Sequence, residues 1–181
     1  GLHSGQRTGM VLQPLPENSG IHFVTLPTGV EIPAHVRAVA ETDYATTLSG
    51  EGENIRTVEH LLSALHAYGV GNLLIKVHGE IPVLDGSALP FVHWLNELGI
   101  KEQEAEREVF RVTEPIFCGD ARRAVCVYPA GEFSVSYVLD YEHPALKDQK
   151  VDFTVTPATF EREIAPARTF CSGSNGSWTP K

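Results

Sequence analysis

Asn54-Ile55-Arg56-Thr57-Val58-Glu59-His60-Leu61-Leu62-Ser63-Ala64-Leu65-His66-Ala67-Tyr68-Gly69 is the stretch from which the fold of this chain is first read. Val58, Leu61, Leu62, Leu65 and Tyr68 recur at helical spacing and make one apolar face. Thr57 reads as the N-cap, because its hydroxyl can accept from an unpaired first-turn N–H. Gly69 reads as the closing C′ residue. Glu59 and His60 then fall in the first turn, beside the buried stripe. The positive end of the helix dipole favours a carboxylate there and disfavours an imidazolium. A neutral His60 with a free lone pair can hold a metal, and Glu59 beside it can act as a general base. The same pair also reads as a solvated polar edge. His66 lies six residues on, about 240° around the helix, so it cannot share an ion with His60.

Outward from this helix, the first half alternates strands with two helices. Met10 to Leu15 and Ile21 to Leu26 read as strands across a Glu-Asn-Ser-Gly turn, and Val30 to Val39 as a weaker one broken by Pro33. Thr42 to Leu48 is β-prone, and Asn72 to Val77 reads as a buried strand. Ile81 to Leu84 is a short apolar segment. After Asp85-Gly86, Ser87 reads as an N-cap, with Leu89, Val92, Trp94, Leu95 and Leu98 striping a second helix that Gly99 stops. Several strands precede each helix, so the fold class expected is α+β with an antiparallel or mixed sheet, not repeated βαβ units.

Lys101 to Glu108 is densely charged and is the best boundary, dividing the chain into 1–104 and 105–181; a solvated helix extension is the other reading. Strand patterns restart at Val109 to Thr113, Ala124 to Tyr128, Phe133 to Asp140 and Val151 to Val155. The alternation from Phe133 to Leu139 implies a sheet with one face covered. A short helix over 157–164, capped by Thr156 with Pro157 at its first position, follows.

A net charge of −9 argues against nucleic acid, whose phosphates need Lys and Arg. No stretch approaches the length of a membrane-spanning helix. Three cysteines, Cys118, Cys126 and Cys171, form no CxxC pair, which points to a reducing compartment and to buried structural thiols.

Four segments in order resemble one family: Gly-Leu-His-Ser-Gly at 1–5, Thr-Val-Glu-His-Leu at 57–61, Glu-Ile-Pro-Val-Leu-Asp-Gly-Ser-Ala at 80–88 and Ala-Arg-Thr-Phe at 167–170. They resemble the UDP-3-O-(3-hydroxyacyl)-N-acetylglucosamine deacetylases, zinc enzymes of bacterial lipid A synthesis. The resemblance implies two similar α+β halves, each a small sheet with helices, and a site between them. It implies a cytoplasmic enzyme, monomeric at full length, whose cofactor is Zn2+. Its substrate is a UDP-linked acylated N-acetylglucosamine, from which acetate is released. By resemblance, His60 is a zinc ligand and Glu59 the general base. Thr169 bonds the carbonyl or tetrahedral oxyanion, and Phe170 flanks the sugar or acyl portion. His3 lies in a turn near the cleft, or is a structural turn histidine. Asp85-Gly86-Ser87 is a structural turn and helix cap.

The departure from the family is as plain. Its second metal motif, His-Lys-x-x-Asp-x-x-Gly-Asp, is absent, and no His follows the Ala-Arg-Thr-Phe segment. Cys171 to Lys181 is polar, with no helical stripe. The chain is therefore expected to be an incomplete family member, its second half unfinished, and to be a weakly zinc-binding and inactive piece. Two other readings stand beside this one: a non-catalytic binding or regulatory module of the same fold, and a Ser or Cys hydrolase using Cys171. The last lacks a G-x-S-x-G elbow.

Overall fold

The 3.6-residue repeat does form a helix: α1 spans Glu59–Ala67 in the computed structural model. Residues 1–26, 28–120, 122–140 and 147–169 are described. Val58, Leu61 and Leu65 of the expected stripe are fully buried, and Ala64 rather than Leu62 completes the inner face. Burying one such Leu contributes roughly 1.5–3 kcal/mol. Gly69, at φ +71°, ends the helix. The Val70 N–H reaches back to Leu65 O and the Gly69 N–H to His66 O, which satisfies the last carbonyls.

The described residues are α+β and divide into two compact units, Gly1–Ala105 with Phe160 onward, and Glu106–Thr159. In the first unit, β1 (Met10–Pro14), β2 (Ile21–Thr25), β3 (Glu31–Pro33) and β7 (Leu73–Val77) form a mixed sheet ordered β1-β7-β2-β3. Only the β2–β7 pair is parallel. A second sheet, β4 (Val39–Glu41), β5 (Thr47–Gly50) and β6 (Glu53–Ile55), is antiparallel. Leu73, Ile75 and Val77 point inward from β7 with Phe23 and Ile32 as neighbours in the core, while Leu74 and Lys76 are half-exposed. The weak strand expected at 30–39 is split by a 3-10 turn at Val36–Ala38, and residues 42–46 bend instead of extending.

Helix α2 (Leu89–Leu98) packs on α1. It is rotated from the expected stripe: Phe91, Val92 and Leu95 are buried, whereas Trp94 and Leu98 lie outward. Gly99, at φ +73°, stops it. Glu161, in a π-helical turn at Phe160–Ile164, accepts from the Tyr68 hydroxyl at 3.0 Å and from Asn96 at 3.2 Å, so one carboxylate ties the end of α1 to α2. Residues 101–105 are not helical. Gln103 donates to Leu15 O, and Glu17 accepts from the Glu104 N–H, so this stretch lies along the first unit.

The second unit contains two hairpins, β8 (Ile116–Gly119) with β9 (Ala124–Val127), and β10 (Ser134–Leu139) with β11 (Gln149–Thr154). A short helical turn, Pro157–Thr159, ends it, and Thr156 Oγ1 accepts from the Thr159 N–H at 3.1 Å, as the cap reading expects. The strand expected at Val109 to Thr113 does not form. Pairing begins only at Ile116, beyond Pro115, which has no N–H to give to a ladder. The alternation at 133–139 does form a strand, but Val135 and Tyr137 on one face and Val138 on the other are all exposed, so neither face of that hairpin is covered by described residues. Cys118 and Cys126, expected to be buried, are exposed thiols; Cys171 lies outside the described residues. Among the described residues no helix is long and apolar enough to cross a membrane.

Candidate functional site

The chain enters α1 through a constrained residue. Thr57 is β-branched and buried, yet sits at φ +61°, in the left-handed region that costs a non-glycine roughly 1–2 kcal/mol. Its expected role as N-cap is not what the structure shows. No side chain caps α1, and the Thr57 hydroxyl faces Glu80 Oε1 at 3.5 Å instead. The segment is held in place on both sides. The Arg56 N–H donates to Gly79 O at 2.9 Å, and the Ile81 N–H donates to Arg56 O at 3.0 Å.

Immediately after this turn come Glu59 and His60, both half-buried. Glu59 Oε2 accepts from the Thr46 N–H at 3.0 Å, which fixes the carboxylate. Its other oxygen has no protein partner among the described residues. The His60 imidazole likewise makes no hydrogen bond among the described residues, while its backbone carbonyl accepts from the Ser63 hydroxyl at 2.8 Å. A carboxylate with one anchored and one open oxygen, one residue before an open imidazole, suits a general base beside a ligand-binding ring.

Glu80 is the residue that sequence reasoning missed. It is 3% exposed. Its Oε1 accepts from the His3 N–H at 2.8 Å and its Oε2 from the Ser4 N–H at 3.0 Å. Its carbonyl accepts from the Thr8 hydroxyl at 2.9 Å. Burial alone would push this carboxyl up. The His3 N–H and the Ser4 hydroxyl and N–H outweigh it and hold the group at about 2. The one available signal was a charge placed directly before the apolar Ile81-Pro82-Val83-Leu84 run. The side chain of His3 itself is exposed.

Thr169 is held at a second place. Its N–H donates to Gly86 O at 2.8 Å, and Ala165 O accepts from the Ala88 N–H at 3.0 Å. The Asp85-Gly86-Ser87 segment is the structural turn expected. Asp85 Oδ1 accepts from the Ser87 hydroxyl at 2.8 Å and the Ser87 N–H at 3.0 Å, and Ser87 Oγ accepts from the Leu89 N–H at 3.2 Å. The Ser87 hydroxyl leads in lowering the Asp85 pKa, against a smaller effect of burial. Gly86 has φ +87°, while an added Cβ would lie 3.8 Å from Thr169 Cγ2, an ordinary contact. Gly86→Ala is therefore expected to cost about 1–2 kcal/mol through backbone strain alone, read as a lower urea midpoint. An unchanged midpoint would contradict the left-handed turn.

The structure thus ties the turn of His3 to the start of α1 through Glu80. No hydrogen bond or ion pair among the described residues joins Thr169 to Glu59 or His60. Phe170 lies outside the described residues. Among the described residues no group of three or more His, Cys, Asp and Glu is arranged to hold a metal ion. His60 therefore offers a single imidazole, short of the three protein ligands a catalytic zinc normally takes.

Residues 1–177 match a family model described as UDP-3-O-acyl N-acetylglycosamine deacetylase. The chain is similar to the UDP-3-O-acyl-N-acetylglucosamine deacetylase of Anaeromyxobacter dehalogenans, with 41% identity over 172 residues, covering 94% of this chain and 56% of the relative. It is also similar to the proteins of that name from Wolinella succinogenes, at 40% identity, and Helicobacter pylori, at 38%. These alignments cover 94% of this chain and 57% and 58% of the relatives. The chain spans little more than half the length of the curated relatives it matches.

Proposed function

Because the chain belongs to the UDP-3-O-acyl N-acetylglycosamine deacetylase family, we propose that it carries the Glu–His part of a hydrolytic deacetylase site of lipid A biosynthesis. The substrate is a UDP-linked 3-O-acylated N-acetylglucosamine. The observation that supports this most directly is the Glu59–His60 pair at the start of α1, with one Glu59 oxygen anchored on the Thr46 N–H and the other without a partner among the described residues.

In this reading Glu59 takes the proton from the water that attacks the acetamide carbonyl. The new C–O bond forms, the C–N bond breaks, acetate leaves, and the amine nitrogen takes up a proton. The Thr169 hydroxyl donates to the oxyanion that develops on the carbonyl oxygen. Phe170 is the residue that would contact the sugar or acyl portion, and His3 a substrate-binding residue of the turn near the cleft. His60 is the ring that would ligate the family's zinc, which supplies Lewis acidity when bound. The described residues do not complete a zinc site, since one imidazole is present where three ligands are needed. In this reading the 181-residue chain by itself binds zinc weakly and turns over substrate at background.

Elemental analysis after dialysis against trace zinc should find well under one zinc per chain, and acetate release from the UDP-sugar should stay at background. About one zinc per chain, or measurable turnover, would overturn the incomplete-site reading. The deacetylase reading has its own test. Adding the UDP-sugar should shift the NMR signals of Glu59, His60 and His3, and a chain whose signals stay put at millimolar ligand would not be carrying this site.

A further inference from the structure

Glu80 joins two segments that are far apart in sequence and that both carry proposed site residues. On one side its carboxylate accepts from the N–H groups of His3 and Ser4, at 2.8 and 3.0 Å. On the other it accepts from the Thr57 hydroxyl at 3.5 Å, two residues before Glu59. We propose that Glu80 is a positioning residue for the deacetylase site: it locks the turn that presents His3 to the left-handed residue that launches the Glu59–His60 pair, so that both imidazoles are held in one frame.

The chemistry favours this over a filling role. A carboxylate that is 3% exposed is costly to bury unless its lone pairs are satisfied, and an apolar side chain would fill the same volume without that penalty. What only a carboxylate supplies here is a set of acceptors converging on donors from separate segments. Within residues 1–5 the backbone closes itself with one bond, the Gly5 N–H to Gly1 O at 3.2 Å. The N–H groups of His3 and Ser4 therefore depend on Glu80. Thr57 is the counterpart. Its left-handed backbone is disfavoured for a β-branched residue, and persists because the surroundings over-determine it. Those surroundings are the Arg56 bonds to Gly79 and Ile81 and the hydroxyl contact to Glu80. Glu80 therefore sits where a displacement of one segment is passed to the other.

This inference rests on the reading of Glu59 and His60 as site residues, and its test reads geometry instead of turnover, so the two can fail separately. In the 181-residue chain, Glu80→Gln keeps one acceptor oxygen and turns an NH2 towards a backbone N–H. Amide exchange at His3 and Ser4 should accelerate by about tenfold or more, as local opening becomes easier. The imidazole Cε1–H signals of both His3 and His60 should move, while those of His22, His35 and His93 should not. A purely structural carboxylate would lower stability and leave the His3 and His60 signals of the folded chain in place, which would overturn the proposal. If Glu80→Gln does not fold, Thr57→Val separates the arms, because it keeps volume and carboxylate and removes only the hydroxyl. The His60 signal should then move with His3 and Ser4 exchange still slow. An unmoved His60 signal in that variant overturns the proposal as well.

Discussion

The first unit should lose about 3 kcal/mol of stability as the pH falls from about 4.5 to about 2, and Glu80→Gln should remove most of that loss. The Glu80 carboxyl starts from an ordinary value of 4.5 and is held at about 2 in the fold. Burial works against this lowering; the bonds from His3 and Ser4 more than offset it. A depressed folded pKa means that the ionised, hydrogen-bonded form is the stabilising one. Its contribution is fully present above the unfolded pKa and disappears as the pH falls through the folded one. Each tenfold change in proton affinity on folding is worth about 1.4 kcal/mol, which sets the order of magnitude. The test is urea unfolding of the native chain and of Glu80→Gln at pH 5, 3.5 and 2. The two stability curves should converge at the acid end. Asp85 also titrates low, but it is exposed and present in both proteins, so it drops out of the difference. Curves that stay parallel through this range would show that the Glu80 carboxylate is not held by these donors in solution.

The same residue marks the limit of what the sequence discloses. Helix α1 is legible because its information is local: a 3.6-residue apolar repeat and a glycine at the point where the helix ends. Strand β7 is legible for a similar reason, the short apolar run Leu73-Leu74-Ile75 with Val77. Thr57 is not legible. Its local chemistry is that of an N-cap, but Glu80, 23 positions away, claims its hydroxyl. Glu80 owes its role to donors 76 and 77 positions away, which no local pattern contains. Helix α2 lies between these cases. Its existence and its stop at Gly99 follow from the residues, but its rotation, which buries Phe91 and leaves Trp94 at the surface, is a matter of tertiary packing that the local pattern does not contain. In the second unit the alternation of 133–139 foretells a strand correctly. Whether a face is covered depends on what packs there, and that is not a property of the strand. The Glu59–His60 pair was visible as a pair; the anchoring of Glu59 by Thr46 was not.

Phe91→Ala should destabilise the first unit by about 3–5 kcal/mol. Phe91 is 2% exposed in the first turn of α2, with its ring edge-on to Trp94 at 5.6 Å and 80°. Removing the ring forfeits its transfer free energy and leaves a void that a close-packed interior fills poorly. Trp94, 36% exposed, lies on the outer side of the same pair, so Trp94→Ala should cost distinctly less although it deletes a larger side chain. Equal losses would mean that the observed rotation of α2 is wrong. The consequence should reach the candidate site. Phe91 donates its N–H to Ala88 O, and Ala88 donates to Ala165 O. The turn just before it accepts the Thr169 N–H at Gly86 O. A first turn of α2 that has lost its buried anchor should therefore release Thr169, seen as amide exchange at Thr169 accelerating by more than the loss of global stability. The His3 and Ser4 amides, which depend on Glu80, should accelerate only with global unfolding. Two segments that both bear proposed site residues are thus held by physically separate devices, an apolar anchor under one and a buried carboxylate under the other, and each can be loosened without the other.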